Sequence, residues 1–172
     1  MSPVTHTLHP GDVACVDRGD RLETLLGSCV AILLTDHRRT VGAMCHVVHA
    51  GQPSATGRSG DTAFGDAALV SMGRQLRERS IDPCQCLAWV YGGGNMFPEQ
   101  VGDSARQGNV GAANFAWALG ALERAGIRVL GVNLGGHAYR KLSWTVGPEE
   151  PEVETVQMPA PPAPPAATGS AS

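Results

Sequence analysis

Apolar residues run almost unbroken over 27–35, a short block of mainly aliphatic side chains. Its length and composition predict a buried strand. Asp36-His37-Arg38-Arg39 interrupts it, and residues 40–49 return to apolar character, so the two blocks read as a β-hairpin. With the turn centred on 36–39, facing positions sum to about 75, which puts Cys29 and His46 at the same open end. Residues 64–79 carry apolar side chains at helical spacing (64, 67, 68, 72 and 76), although Gly65 and Gly73 weaken the pattern. A strand over 86–91 ends at Gly92-Gly93-Gly94. Residues 110–125 form the clearest helical stripe, with Gly126 where a helix stops. Residues 127–134 and 139–146 read as closing strands around Gly135-Gly136.

The pattern lapses at Pro148. Beyond it come an acidic Pro/Glu stretch and then only Pro, Ala, Thr, Gly and Ser from Pro159. Such a composition cannot bury apolar surface, so 1–147 reads as one mixed α and β domain and 148–172 as a disordered tail. Over the 172 residues, 42% are hydrophobic, enough for a core, and 17% are charged, for a formal net charge of −3. Without a basic cluster, no nucleic-acid footprint is visible. No run of ~18 apolar residues would insert in a membrane. Residues 1–10 lack the basic start and apolar centre of a secretory leader, so the chain reads as cytoplasmic. There its five cysteines stay reduced, and each is core filler or chemistry.

Cys29 follows Gly27-Ser28 at the mouth of the first buried strand. A cysteine so placed is more often a small buried residue than a nucleophile. Gly27 can adopt a positive φ, however, and the turn would leave the Ser28 and Cys29 N–H groups available to an oxyanion. A histidine must then favour the thiolate and later protonate a leaving group. Hairpin register selects His46. His49 fits the register less well, His137 lies on a Gly-rich loop, and His6, His9 and His37 read as surface residues.

These residues resemble a known family. Leu26-Gly-Ser-Cys29-Val-Ala, followed by His46 in Gly42-Ala-Met-Cys-His46, is similar to CheD, the chemoreceptor glutamine deamidases. Phe64-Gly-Asp66-Ala-Ala resembles that family's helix start, and Val90-Tyr-Gly-Gly93-Gly-Asn95-Met96 its glycine-rich loop. Gly108-Asn109 stands near its Arg-Asn helix start, and Leu134-Gly-Gly136 with Arg140-Lys141 resembles its closing segment. The resemblance implies an α+β fold, a layered α/β/β/α-type sandwich with mixed sheets flanked by helices. It also implies hydrolysis of receptor glutamine to glutamate by a Cys–His pair with a threonine and no metal or cofactor. Cys29 would be the nucleophile and His46 the general base and acid, with Gly27, Ser28, Gly93 and Asn95 lining the substrate. The partners implied are the cytoplasmic domains of methyl-accepting chemoreceptors and a CheC-type phosphatase.

The sequence departs from the family at one point that matters. The family threonine lies six residues before the cysteine, where this chain has Glu23; Thr24 is one residue later. One step along a strand reverses the side chain, so Thr24 needs a local bulge to serve. Otherwise Glu23 orients the imidazole, or activity is impaired and the chain is an adaptor. Two smaller departures are Asn133 and Gly108. A zinc site at Cys84-Gln-Cys86 with Cys45 lacks the usual two-residue gap.

Overall fold

The computed structural model describes residues 2–53, 60–96 and 110–157; Gly108-Asn109 lies outside the described residues. Among the described residues nine strands are formed: β1 Thr5–Leu8, β2 Val13–Asp17, β3 Arg21–Leu26, β4 Val30–Thr35, β5 Val41–Val47, β6 Leu87–Gly92, β7 Arg128–Leu134, β8 Ala138–Thr145 and β9 Glu152–Gln157. Helix α1 spans Gly65–Glu78 and α2 spans Val110–Arg124, and a 3₁₀ turn covers Pro83–Gln85.

The strands form two mixed sheets. The larger has the order β2-β5-β4-β6-β7, with β6 and β7 parallel; the smaller has the order β1-β3-β8-β9, with β1 and β3 parallel. β4 and β5 are buried along their whole length because the larger sheet is covered twice. Val30, Ile32 and Leu34 with Ala43, Cys45 and Val47 pack under Ala68, Met72 and Leu76 of α1 and Ala118 and Leu122 of α2. The alternate residues Ala31, Leu33 and Met44 face Leu22 and Leu26 of β3 and Leu142 and Trp144 of β8. Period-two alternation thus divides one apolar block between two cores. The fold is α+β with two mixed sheets, as expected. Among the described residues both helices cover the same face of the larger sheet, giving the layer order α/β/β.

Gly65, a weak residue for helix propensity, has a packing reason. A Cβ there would collide with the Trp117 ring, and Trp117 Nε1 donates to Asp66 Oδ1 at 3.0 Å. The two helices lock together through that contact.

Two expectations need correction. The hairpin pairs Val30 with Val47 and Ala31 with His46, so facing positions sum to 77 rather than about 75. A shift by two keeps every side chain on its face. The second correction is the boundary at 147: residues 152–157 form β9, paired antiparallel with β8. Glu-Val-Glu-Thr-Val-Gln is mostly exposed, and edge strands carry such charge, which hides them from a search for apolar periodicity.

Candidate active site

Leu22, Thr24 and Leu26 of β3 point inward, while Arg21, Glu23 and Leu25 point outward. Glu23 is therefore on the wrong side to touch the hairpin. Its carboxylate meets Arg21 Nε at 2.7 Å with both side chains about two-fifths exposed. Together they line a surface groove of about 530 Å³ with Leu25, Lys141, Ser143 and Glu154. Thr24 is the residue that reaches across between the sheets. Its Oγ1 stands 2.7 Å from His46 Nδ1 and donates to the Leu8 carbonyl at 2.8 Å.

That pair of distances fixes the imidazole tautomer. A hydroxyl has one proton, and the Leu8 carbonyl can only accept. Thr24 Oγ1 must therefore accept from His46, so Nδ1 carries the hydrogen and Nε2 presents a lone pair. His46 is 2% exposed, and Nε2 has no hydrogen-bond partner among the described residues. A basic nitrogen is thus held in one orientation, with its acceptor capacity unused.

Cys29 stands just before β4 and is half-buried. Like Ala31 two residues on, it packs on the core between the two sheets, the side that His46, partner of Ala31, also faces. The two are diagonal neighbours across the hairpin, a relation that sets Cα atoms about 7–8 Å apart and within reach of longer side chains. Burial pushes the Cys29 thiol up from its ordinary value. Burial also pulls His46 down to about 4, and His9 adds to this while the Asp12 charge opposes it. At neutral pH the resting pair is thus a thiol and a neutral imidazole.

The backbone around Cys29 is clamped by its carbonyls. Gly27 O accepts from Gly94 N at 2.9 Å and Cys29 O from Gly93 N at 2.8 Å. Ser28 O accepts from Asn114 Nδ2 at 3.0 Å, and the same amide nitrogen donates to Val48 O at 3.1 Å. No backbone acceptor engages the N–H groups of Ser28 or Cys29 among the described residues, which leaves both available to an oxyanion. Gly92 has φ +110°, and a Cβ there would strike Cys29 O, so only glycine permits this approach. Gly27 has no positive φ. A Cβ there would stand 3.2 Å from the Tyr139 ring and 3.4 Å from the Met96 sulfur, a tight fit that either side chain could relieve by a small shift. Asn95 borders the same loops: its N–H donates to Gly136 O at 2.8 Å, and its carbonyl lies 3.2 Å from His137 Nδ1.

Sequence reasoning missed Asn114, which is 1% exposed. The signal was present: it shares the buried face of α2 with Gly111, Ala118 and Leu122, and a polar residue on an apolar stripe demands a partner. The proposed zinc ligands do not converge. Cys84 is exposed in the 3₁₀ turn, while Cys45 and Cys86 are buried in the core beneath the helices.

The family model CheD, described as CheD chemotactic sensory transduction, matches residues 49–154, a stretch that begins past His46. Curated relatives match over a larger share of the chain. The probable chemoreceptor glutamine deamidase CheD 2 of Albidiferax ferrireducens is 36% identical over 148 residues, covering 84% of this chain and 83% of that one. The probable chemoreceptor glutamine deamidase CheD of Pseudomonas syringae pv. tomato is 36% identical over 135 residues, covering 78% and 79%. The corresponding CheD 1 of Chromobacterium violaceum is 30% identical over 139 residues, covering 81% and 71%. Among solved structures, a Neisseria meningitidis protein matched to DUF152 overlays with a TM-score of 0.37 at 16% identity, over 73% of this chain and 52% of that one. On the family match and on identity across most of both chains, the protein belongs to the CheD family.

Proposed function

We propose that this protein is a chemoreceptor glutamine deamidase in which Cys29 is the nucleophile, His46 the general base and acid, and Thr24 the group that orients His46. The observation that carries the reading is the Thr24–His46 hydrogen bond at 2.7 Å, which turns a bare imidazole nitrogen to the sheet face that Cys29 shares.

The thiol proton passes to His46 Nε2 as the sulfur attacks the side-chain carboxamide carbon. Ser28 and Cys29 N–H groups hold the oxyanion. The C–N bond then breaks, His46 returns its proton to the departing nitrogen, and ammonia leaves a thioester. Water attacks that carbonyl with His46 taking a proton. The C–S bond breaks, the sulfur recovers the proton, and the product is glutamate. Starting from two neutral groups suits general-base catalysis, because charge forms only as the sulfur attacks.

The substrate class, glutamine in the cytoplasmic domains of methyl-accepting receptors, rests on the names of the relatives. A cytoplasmic location follows from that substrate, and no described helix is long and apolar enough to cross a membrane. A CheC-type phosphatase remains the second proposed partner. The test is ammonia release and a +1 Da change at receptor glutamines, read by mass spectrometry. Cys29→Ala should abolish both, and undiminished release would reject the assignment. A second reading, a CheD-like adaptor with weak catalysis, draws on the raised Cys29 thiol. Receptor binding by wild type without any mass change would favour it.

A further inference from the structure

The base is served from a second direction, by a turn that the sequence left unread. In His9-Pro10-Gly11-Asp12 the Asp12 N–H donates to His9 O at 2.9 Å, and Gly11 has φ +89°. Proline second and a left-handed glycine third are the requirements of a type II turn. The turn runs directly into β2. Gly11 N–H donates to His46 O at 2.9 Å, and His46 N–H donates to Asp12 O at 3.0 Å. Two residues therefore oppose one, a β-bulge with glycine at its first position, a device that re-aims side chains beside active sites.

The next rung pairs Val13 with Cys45, both packed on the helix-covered side. By alternation Asp12 and His46 share the other side of the ladder, His46 in the interior and Asp12 at its solvent-exposed end. The turn also holds the carboxylate, since Asp12 Oδ2 accepts from His9 N at 2.8 Å.

We propose, building on the deamidase reading above, that Asp12 is a positioning residue for His46. Its carboxylate, set opposite the imidazole by the Gly11 bulge, is the counter-charge for the imidazolium formed when Cys29 gives up its proton. Other groups around the imidazole do not supply that charge. β3 presents the neutral Thr24 hydroxyl. β8 presents Leu142 and Trp144 opposite Thr24 and Leu22. β6 presents the Tyr91 phenol beyond Ala31. The loop before β4 presents the Cys29 thiol, and His9, on the turn itself, acts with the opposite sign. Asp12 is solvent-exposed, so solvent screens its influence on the imidazole and keeps it modest.

The test uses the full-length protein and a receptor cytoplasmic fragment. Asp12→Asn keeps an oxygen for the His9 N–H but removes the charge, and Asp12→Glu restores it. Two measurements are followed against pH: kcat/KM for ammonia release, and the His46 imidazole titration by NMR. In Asp12→Asn the acid limb and the imidazole titration should both move to lower pH, and the plateau rate should fall about two- to fivefold. Asp12→Glu should recover most of the loss, and about 1 M salt should shrink the difference between wild type and Asp12→Asn. An unchanged His46 titration in Asp12→Asn overturns the proposal. So does an equal rate loss at every pH and salt, which would leave Asp12 only a brace for the turn. Failure of the deamidase reading looks different: Cys29→Ala would continue to release ammonia while the His46 titration still responded to Asp12.

Discussion

Replacing Thr24 by Val removes one hydroxyl at nearly constant volume and strips two interior groups of their partner. Leu8, whose carbonyl accepts from that hydroxyl, is 4% exposed, and His46 is 2% exposed, so neither recovers water. Each buried polar group left unpaired costs about 1–3 kcal/mol, and the added methyl returns about 1 kcal/mol. The net loss of stability is therefore roughly 1–5 kcal/mol. Without the hydroxyl nothing holds the proton on Nδ1, and a tautomer with the proton on Nε2 occupies the nitrogen needed as base. Loss of the bond and of tautomer bias together raise the barrier by roughly 1.5–3 kcal/mol, or about 10- to 100-fold in kcat. KM should hold, because Thr24 lies behind the ring and touches no substrate. Thr24→Ser should keep most activity, and Glu23→Gln, on the outer face, should keep all of it. The measurements are steady-state ammonia release and urea unfolding on the four proteins. Full kcat in Thr24→Val, or a loss carried by Glu23→Gln instead, would refute the reasoning.

Two further outcomes follow from burial around the site. Burial holds folded His46 at about 4 against an ordinary 6.5, so between those values the unfolded chain binds the extra proton. Stability contributed by the neutral imidazole is complete above pH 6.5 and is lost as pH falls toward 4, up to about 3 kcal/mol in all. Urea midpoints at pH 7 and pH 4.5 should show that loss in wild type and a smaller one in His46→Gln; equal losses would contradict it. Asn114→Ala leaves the Ser28 and Val48 carbonyls unpaired, so it should lower stability by about 1–3 kcal/mol and lower kcat by releasing the Cys29 loop. A destabilised variant with unchanged kcat would show that Asn114 braces the fold without shaping the site.

What could be read from the sequence divides along a physical line. Strands buried on both faces and helices with an apolar stripe declare themselves through side-chain polarity, and β4, β5, β6, α1 and α2 fall where that signal lies. β1, β2 and β9 are strands because neighbours pair with them; their side chains are mostly exposed or half-buried, and pairing leaves no periodic trace. Cys29 and His46 could be joined because a hairpin converts sequence distance into register. Glu23 and Thr24 could not be separated, since deciding between them requires knowing which face of β3 meets the hairpin. That face is set by Leu22 and Leu26 seeking the core, and Thr24, between them in the alternation, is carried inward with them. A threonine one residue nearer the cysteine than the family pattern thus reaches the imidazole, because strand alternation about the apolar neighbours, not distance from the nucleophile, determines which side chain arrives. The same reasoning explains why the His9–Asp12 turn escaped notice. Proline and glycine mark a bend, but a bend becomes part of a site only when the strand it feeds lies beside the catalytic base.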